Sequence, residues 1–216
     1  MKRDTWRPIL LLAALAATSP APAQTATPAQ TATPAPETLP AAIVPGELVV
    51  RFAKGTPLAE RVAQTAAPAA DEALAAELAR SLAPLGVPLA ARQVTSGGEL
   101  VLTIERERLR EMLEARLTAC TEIVATAPEP ERKLVRPAST FAVRVVELAP
   151  GADAAALERA TAAVAQETGW PLAVATDAGV SRVVLDLRQL TLTLLERLRA
   201  RSDVEYAQPN QALSPY

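Results

Sequence analysis

From position 45 onward, apolar residues follow two alternating rhythms, every second residue in short runs and every third or fourth in longer ones. Leu48, Val50 and Phe52 alternate with Val49 and Arg51, which is the period of a strand. A helix is expected from about Glu72, with Leu74, Leu78, Leu82 and Leu85 on one stripe and Gly86 ending it. Leu89 to Val94 and Glu99 to Glu105 then read as a hairpin across Thr95-Ser96-Gly97-Gly98. Leu109, Leu113 and Leu117 mark a second helix, and Ile123 to Thr126 a last strand.

The same order returns further along. Phe141, Val143 and Val145 share one face of an opening strand that runs to Leu148. Asp153 is placed to cap a helix bearing Leu157, Ala160 and Val164, which stops at Gly169. Leu172 to Thr176 and Val180 to Leu187 form a hairpin across Asp177-Ala178-Gly179. Leu190, Leu194 and Leu198 stripe a final helix, and Val204 to Ala207 completes the pattern.

Sliding the chain against itself by 81 positions aligns Gly98 with Gly179, Ile104 with Leu185 and Glu105 with Asp186. The match continues through the leucine stripes to Ile123 with Val204 and Pro128 with Pro209, without a gap. Each copy reads β-α-β-β-α-β, the split βαβ order of an α+β fold. The expected architecture is therefore two tandem ferredoxin-like sandwiches, each an antiparallel sheet with two helices on one face. The uncovered face of the second sheet is expected to carry Arg144, Val146, Arg182 and Val184. The domains read as 45–134 and 139–212, with 213–216 an extended tail.

What precedes them is an address and a spacer. Lys2, Arg3 and Arg7 form a basic start, Ile9 to Ala17 is apolar, and Ala21-Pro22-Ala23 offers a small-residue cleavage site. Because that apolar run is too short to span a bilayer, residues 1–23 read as a cleaved signal peptide and imply a secreted or periplasmic protein. Residues 24–44 carry the doubled Gln-Thr-Ala-Thr-Pro-Ala unit and have too few large apolar side chains to order.

Composition removes most catalytic classes. The 216 residues contain no histidine, which excludes a His-dependent nucleophile and any His-ligated metal site. The single cysteine, Cys120, excludes an internal disulfide and a thiolate cluster, and it reads as either buried and inert, the favoured expectation, or a route to a disulfide-linked dimer. The glycines are scattered, so no phosphate loop is formed. Carboxylates mix with arginines, as in Glu105-Arg106-Glu107-Arg108, the pattern of a solvated helix face. The expectation is a non-enzymatic protein without cofactor or metal. Removing the signal takes three of 22 basic and one of 24 acidic residues, leaving 19 and 23, a net −4. A mildly acidic chain has no electrostatic footprint for nucleic acid or an anionic membrane.

Two segments carry a resemblance. Pro45-Gly46-Glu47-Leu48-Val49-Val50-Arg51-Phe52 followed by Lys54-Gly55-Thr56 is similar to the start of subtilisin-like serine protease prodomains. Asp203-Val204-Glu205-Tyr206-Ala207-Gln208-Pro209-Asn210 resembles the way such prodomains end. The resemblance implies a ferredoxin-like fold that assists folding of a subtilisin-like protease and then inhibits it. Its tail would lie in the substrate cleft like a cleaved product. Tyr216 would fill the primary specificity pocket, preceded by Pro215 and Ser214, with Leu213 in the apolar pocket four residues from the cut. Tyr206, Gln208, Pro209 and Asn210 would position that tail, with Gln208 onward free to reach. Such strand addition to a cleft edge is an established mode of peptide recognition. No protease domain follows within the 216 residues, so the expected mode is action in trans as an inhibitor or folding chaperone. A rival expectation is a structural module that pairs through its sheet faces and has no protease partner.

Overall fold

The computed structural model describes residues 43–65, 71–128 and 140–211. The chain forms β1 (Ile43–Phe52), α1 (Pro57–Gln64), α2 (Glu72–Leu82), β2 (Leu89–Val94), β3 (Leu100–Ile104), α3 (Arg106–Thr118) and β4 (Ile123–Pro128). It continues with β5 (Thr140–Leu148), α4 (Ala154–Thr168), β6 (Leu172–Asp177), β7 (Val180–Asp186), α5 (Leu187–Arg199) and β8 (Val204–Gln211). Local chemistry accounts for most of the ends. Asp71, Asp153 and Asp186 accept the backbone N–H three residues on, at 2.7, 2.8 and 3.0 Å, and so satisfy an otherwise orphaned helical donor. Gly169 closes α4 in the left-handed region at φ 67°. Helix α1 was not anticipated from the leucine stripes, yet Thr56 at its N-cap, Pro57 in its first turn and buried Leu58 and Val62 specify it.

Two four-stranded antiparallel sheets result, in the orders β2-β3-β1-β8 and β4-β5-β7-β6. These orders correct the sequence reading, which closed each sheet with the last strand of its own half. Instead β8 pairs with β1, and β4 pairs with β5. Each sheet thus combines residues from both sides of the boundary drawn at 134–139, a stretch that itself lies outside the described residues. The helices travel with the strands. Helix α5 packs on β1 and β8, while Glu114 of α3 bonds Arg144 of β5 and Arg116 of α3 pairs with Glu167 of α4. The exchanged unit is therefore a helix–strand arm. One residue, Glu105, separates β3 from α3, and none separates β7 from α5. A shared periodic pattern could not reveal which sheet an arm would choose.

Polar contacts fasten the α5–β8 arm to the first half and brace it internally. Gly46 N–H donates to Thr191 Oγ1 at 2.8 Å, where Thr191 is fully buried. Arg197 donates to the Leu85 carbonyl at 3.0 Å, and its guanidinium lies against Gly169. Arg201 donates to the Ser81 carbonyl at 3.0 Å and grips Asp203 with two bonds of 2.8 and 2.7 Å. Arg199 Nε donates to the Ala207 carbonyl at 2.8 Å. The Arg201 fork holds the Asp203 carboxyl below its ordinary range. Apolar burial supplies the rest: side chains of both halves merge in one core, which includes Leu48, Val50, Leu109, Leu113, Val183, Leu185, Leu190 and Leu194. All described residues belong to one compact unit.

The two sheets repeat one another in register. Five β1–β8 pairs, from Leu48 with Pro209 to Phe52 with Val204, have β5–β4 counterparts from Arg144 with Pro128 to Leu148 with Ile123. Both ladders carry a register shift at the same place, before Phe52 with Val204 and at Ile123 with Leu148. One expected parity fails here. Arg144 and Val146 were expected on the uncovered face, but both are buried, and Val145 on the opposite parity is only half-buried. The run Val-Arg-Val-Val is apolar on both parities, so its own pattern could not decide. Pairing of Arg144 with buried Val183 decides it. Arg182 and Val184 keep the expected uncovered side, and both are half-buried. Cys120, expected to be buried, is half-buried, and desolvation pushes its thiol up.

Two outcomes test this account of the arm. Thr191→Val keeps the shape but strips the acceptor from the Gly46 N–H, so stability should fall by about 1–3 kcal/mol in chemical denaturation. Asp203 has a lowered folded-state pKa, so its contribution is present above the unfolded value near 4 and is lost as pH falls through the lowered one. Melting temperatures should therefore decline in acid, and Asp203→Asn should lower the neutral-pH value and flatten that acid limb.

Candidate functional site

The residues singled out by sequence converge on β8 and on the uncovered face of its sheet. Along β8, Ala207 turns into the core against Val50, while Tyr206 and Gln208 face outward opposite Arg51 and Val49. Gln208, Pro209 and Asn210 were expected to be free of the sheet, and this is corrected. The strand continues to Gln211, which pairs with Ile43. The extension is possible because β1 begins two residues before Pro45 and shifts register between Ile43 and Leu48. Gly46 in this stretch has φ 88° and lies 3.2 Å, at an added Cβ, from Leu187, so both conformation and space favour glycine. Leu213, Ser214, Pro215 and Tyr216 lie outside the described residues.

Two polar clusters hold β8 on this face. Tyr206 donates its hydroxyl to Glu99, which also accepts from Thr95 Oγ1 at 3.0 Å. Those two bonds, with the Arg51 charge, keep the Glu99 carboxyl below its usual range against the opposing cost of burial. The same carboxylate pushes the Tyr206 phenol up. Arg51 donates to the Gly97 carbonyl at 2.9 Å and lies 3.8 Å from Glu205. Toward the strand end, Asn210 Nδ2 donates to Glu47 at 2.6 Å, and Arg92 pairs with the other oxygen of the same carboxylate. Sequence reasoning named Tyr206 and Asn210 but missed Glu47, Arg51, Arg92 and Glu99. Glu47 and Arg51 had a signal, since both fall on the parity opposite to Leu48 and Val50. Their pairing with the last strand had none, because that strand was assigned to the other sheet.

The outer edge of β8 is blunted. Pro209 has no N–H to offer, and Arg199 occupies the Ala207 carbonyl. What this arrangement does is mechanical: it fixes the register and the direction of a strand that leads to residues 212–216. The groups here are paired carboxylates, guanidinia, one phenol and one amide, with no nucleophile–base pair among them. Among the described residues, no group of three or more His, Cys, Asp or Glu is placed to hold a metal ion. A separate depression of about 480 Å³ opens at the β4–β5–β7 end of the other sheet, lined largely by Ala125, Ala127, Val145, Leu148 and Val180. Among the described residues, no helix is long and apolar enough to cross a membrane.

Replacing Tyr206 by Phe removes the hydrogen bond that does most to hold the Glu99 carboxyl below its usual range. The Glu99 titration should then move up in a carboxyl NMR series, while that of Asp203 stays in place. Comparison with family models, with curated proteins and with solved structures found no match to this chain.

Proposed function

We propose that this chain is an exported, non-enzymatic protein that acts as subtilisin prodomains do, as an inhibitor or folding chaperone of a separate subtilisin-like serine protease. On this reading each half is a ferredoxin-like βαββαβ module, and the two have exchanged their last helix and strand. The observation that supports it best is the continuous strand β8. It is zipped to the Pro-Gly-Glu-Leu-Val segment of β1, so the two segments that carry the family resemblance are neighbours in one ladder. Asn210 and Glu47, one from each segment, bond directly. Beyond Gln211, five residues reach at most about 17 Å when extended. A protease that held Leu213 to Tyr216 in its cleft would therefore lie close to the Glu47, Arg92 and Asn210 end of the sheet.

A second reading is favoured by one feature, the other sheet's uncovered face. It presents Val145, Val184, Ala173 and Ala175 beside Arg182 and Glu147, a mixed surface that could pair with another protein through sheet faces. The two readings separate in one experiment, inhibition of a panel of subtilisin-like proteases by the full chain and by a form lacking residues 213–216. The proposal expects inhibition that weakens by at least about a hundredfold on truncation, a loss of roughly 3 kcal/mol, with circular dichroism unchanged. Equal inhibition by both forms would sink the tail mechanism, and none by the full chain would leave the interaction module.

A further inference from the structure

Superposing the two ladders by their shared register places Leu48 of β1 at the position of Arg144 in β5. The offset of 81 that matches β8 to β4 also places Leu195 of α5 at the position of Glu114 in α3. One arm therefore meets its sheet with leucines that are both almost fully buried, the other with an ion pair of 2.6 Å whose arginine is 10% exposed. We propose that this difference selects which arm lies on which sheet, and so determines that β8 ends at Gln211 beside Ile43 of β1.

The alternative is two independent domains, each keeping its own arm. In that arrangement α5 would bring Leu195 over Arg144, leaving a buried guanidinium without a carboxylate, and α3 would bring Glu114 over Leu48. An uncompensated buried charge is far more costly than the pair is favourable. The pair itself is poorly built for stability. Arg144 Nε has no hydrogen-bond partner, nor has the buried Thr126 hydroxyl on the adjoining strand. Glu114 is half exposed, so the pair adds little net stability, and discrimination is the property that the ions add. A second contact acts in the same sense. The Gly46 N–H finds its acceptor in Thr191, whereas the corresponding α3 residue, Arg110, carries donors only.

Engineered disulfides read the choice directly. Val49 faces Gln208 in the exchanged fold, and Val145 would face Gln208 in the unexchanged one. In a Cys120→Ser background refolded from denaturant and then oxidised, the Val49→Cys/Gln208→Cys protein should cross-link. The Val145→Cys/Gln208→Cys protein should do so more than about a hundredfold less. Neutralising the pair with Arg144→Leu/Glu114→Leu should raise the 145–208 product at least about tenfold. Moving the charge with Leu48→Arg/Arg144→Leu should make 145–208 the main product. If that second variant does not fold, the neutralised one still decides. An unchanged 49–208 preference after neutralisation would overturn the proposal, as would comparable yields of both products in the starting protein.

Discussion

Everything in the folded region depends on β1 receiving its outer neighbour from the far end of the chain. Leu48 and Val50 are fully buried only because α5 covers their sheet and β8 closes its side. The pairing of Ile43 with Gln211 joins residues separated by nearly the whole folded length. Loop closure over such a span costs little more than over a shorter one at equilibrium, because the penalty grows only logarithmically. It is costly in time, since non-local pairing must be assembled before it is rewarded. A β1 without its partner would expose an unpaired, apolar edge while the second half is still being made.

Exchange also changes what a domain means here. Each sheet needs a helix and a strand from the other half, and the buried side chains merge in one cluster. Opening one half alone would strip the other of its edge strand, so local unfolding of a half is as costly as global unfolding. Two tandem modules would open separately; two interlocked ones open together. Rigid relative placement follows from covalent exchange rather than from a large interface between finished domains.

Much of this was legible in the sequence, and the reason for each success or failure is local. Asp153 and Gly169 bracket a helix because their chemistry fits its ends whatever lies nearby. Gly98 and Gly179 mark matching hairpin turns for the same reason, both at φ 76°. The offset of 81 survives into the ladders because it reflects which residues face which partner. The swap did not show, since β4 and β8 share one pattern and either fits either sheet by periodicity. What separates them is a few positions: Leu48 against Arg144 read together with Leu195 against Glu114, and Thr191 against Arg110. Taken singly, an arginine in a strand looks like a surface residue, which is how Arg144 was placed. The candidate site divides in the same way: Tyr206 and Asn210 stood out on β8, but Glu99 and Glu47, their acceptors, lie more than a hundred residues away.

The two uncovered faces differ because of where the arms went. On the sheet that holds β8, the outward residues are largely polar, and the charged ones among them satisfy one another: Tyr206 with Glu99, Asn210 and Arg92 with Glu47, Arg51 with Glu205. Such a face is stable in water and gains little from being covered, since each pair would need new partners or keep its old ones at some desolvation cost. On the other sheet, alanines and valines lie beside Arg182 and the exposed Glu147, and covering them removes more apolar area, with these two charges to re-satisfy. The first sheet therefore offers a partner little apolar area, and the second offers more. The pairing of β8 with β1 places the end of the described chain, Gln211, on the first of these sheets.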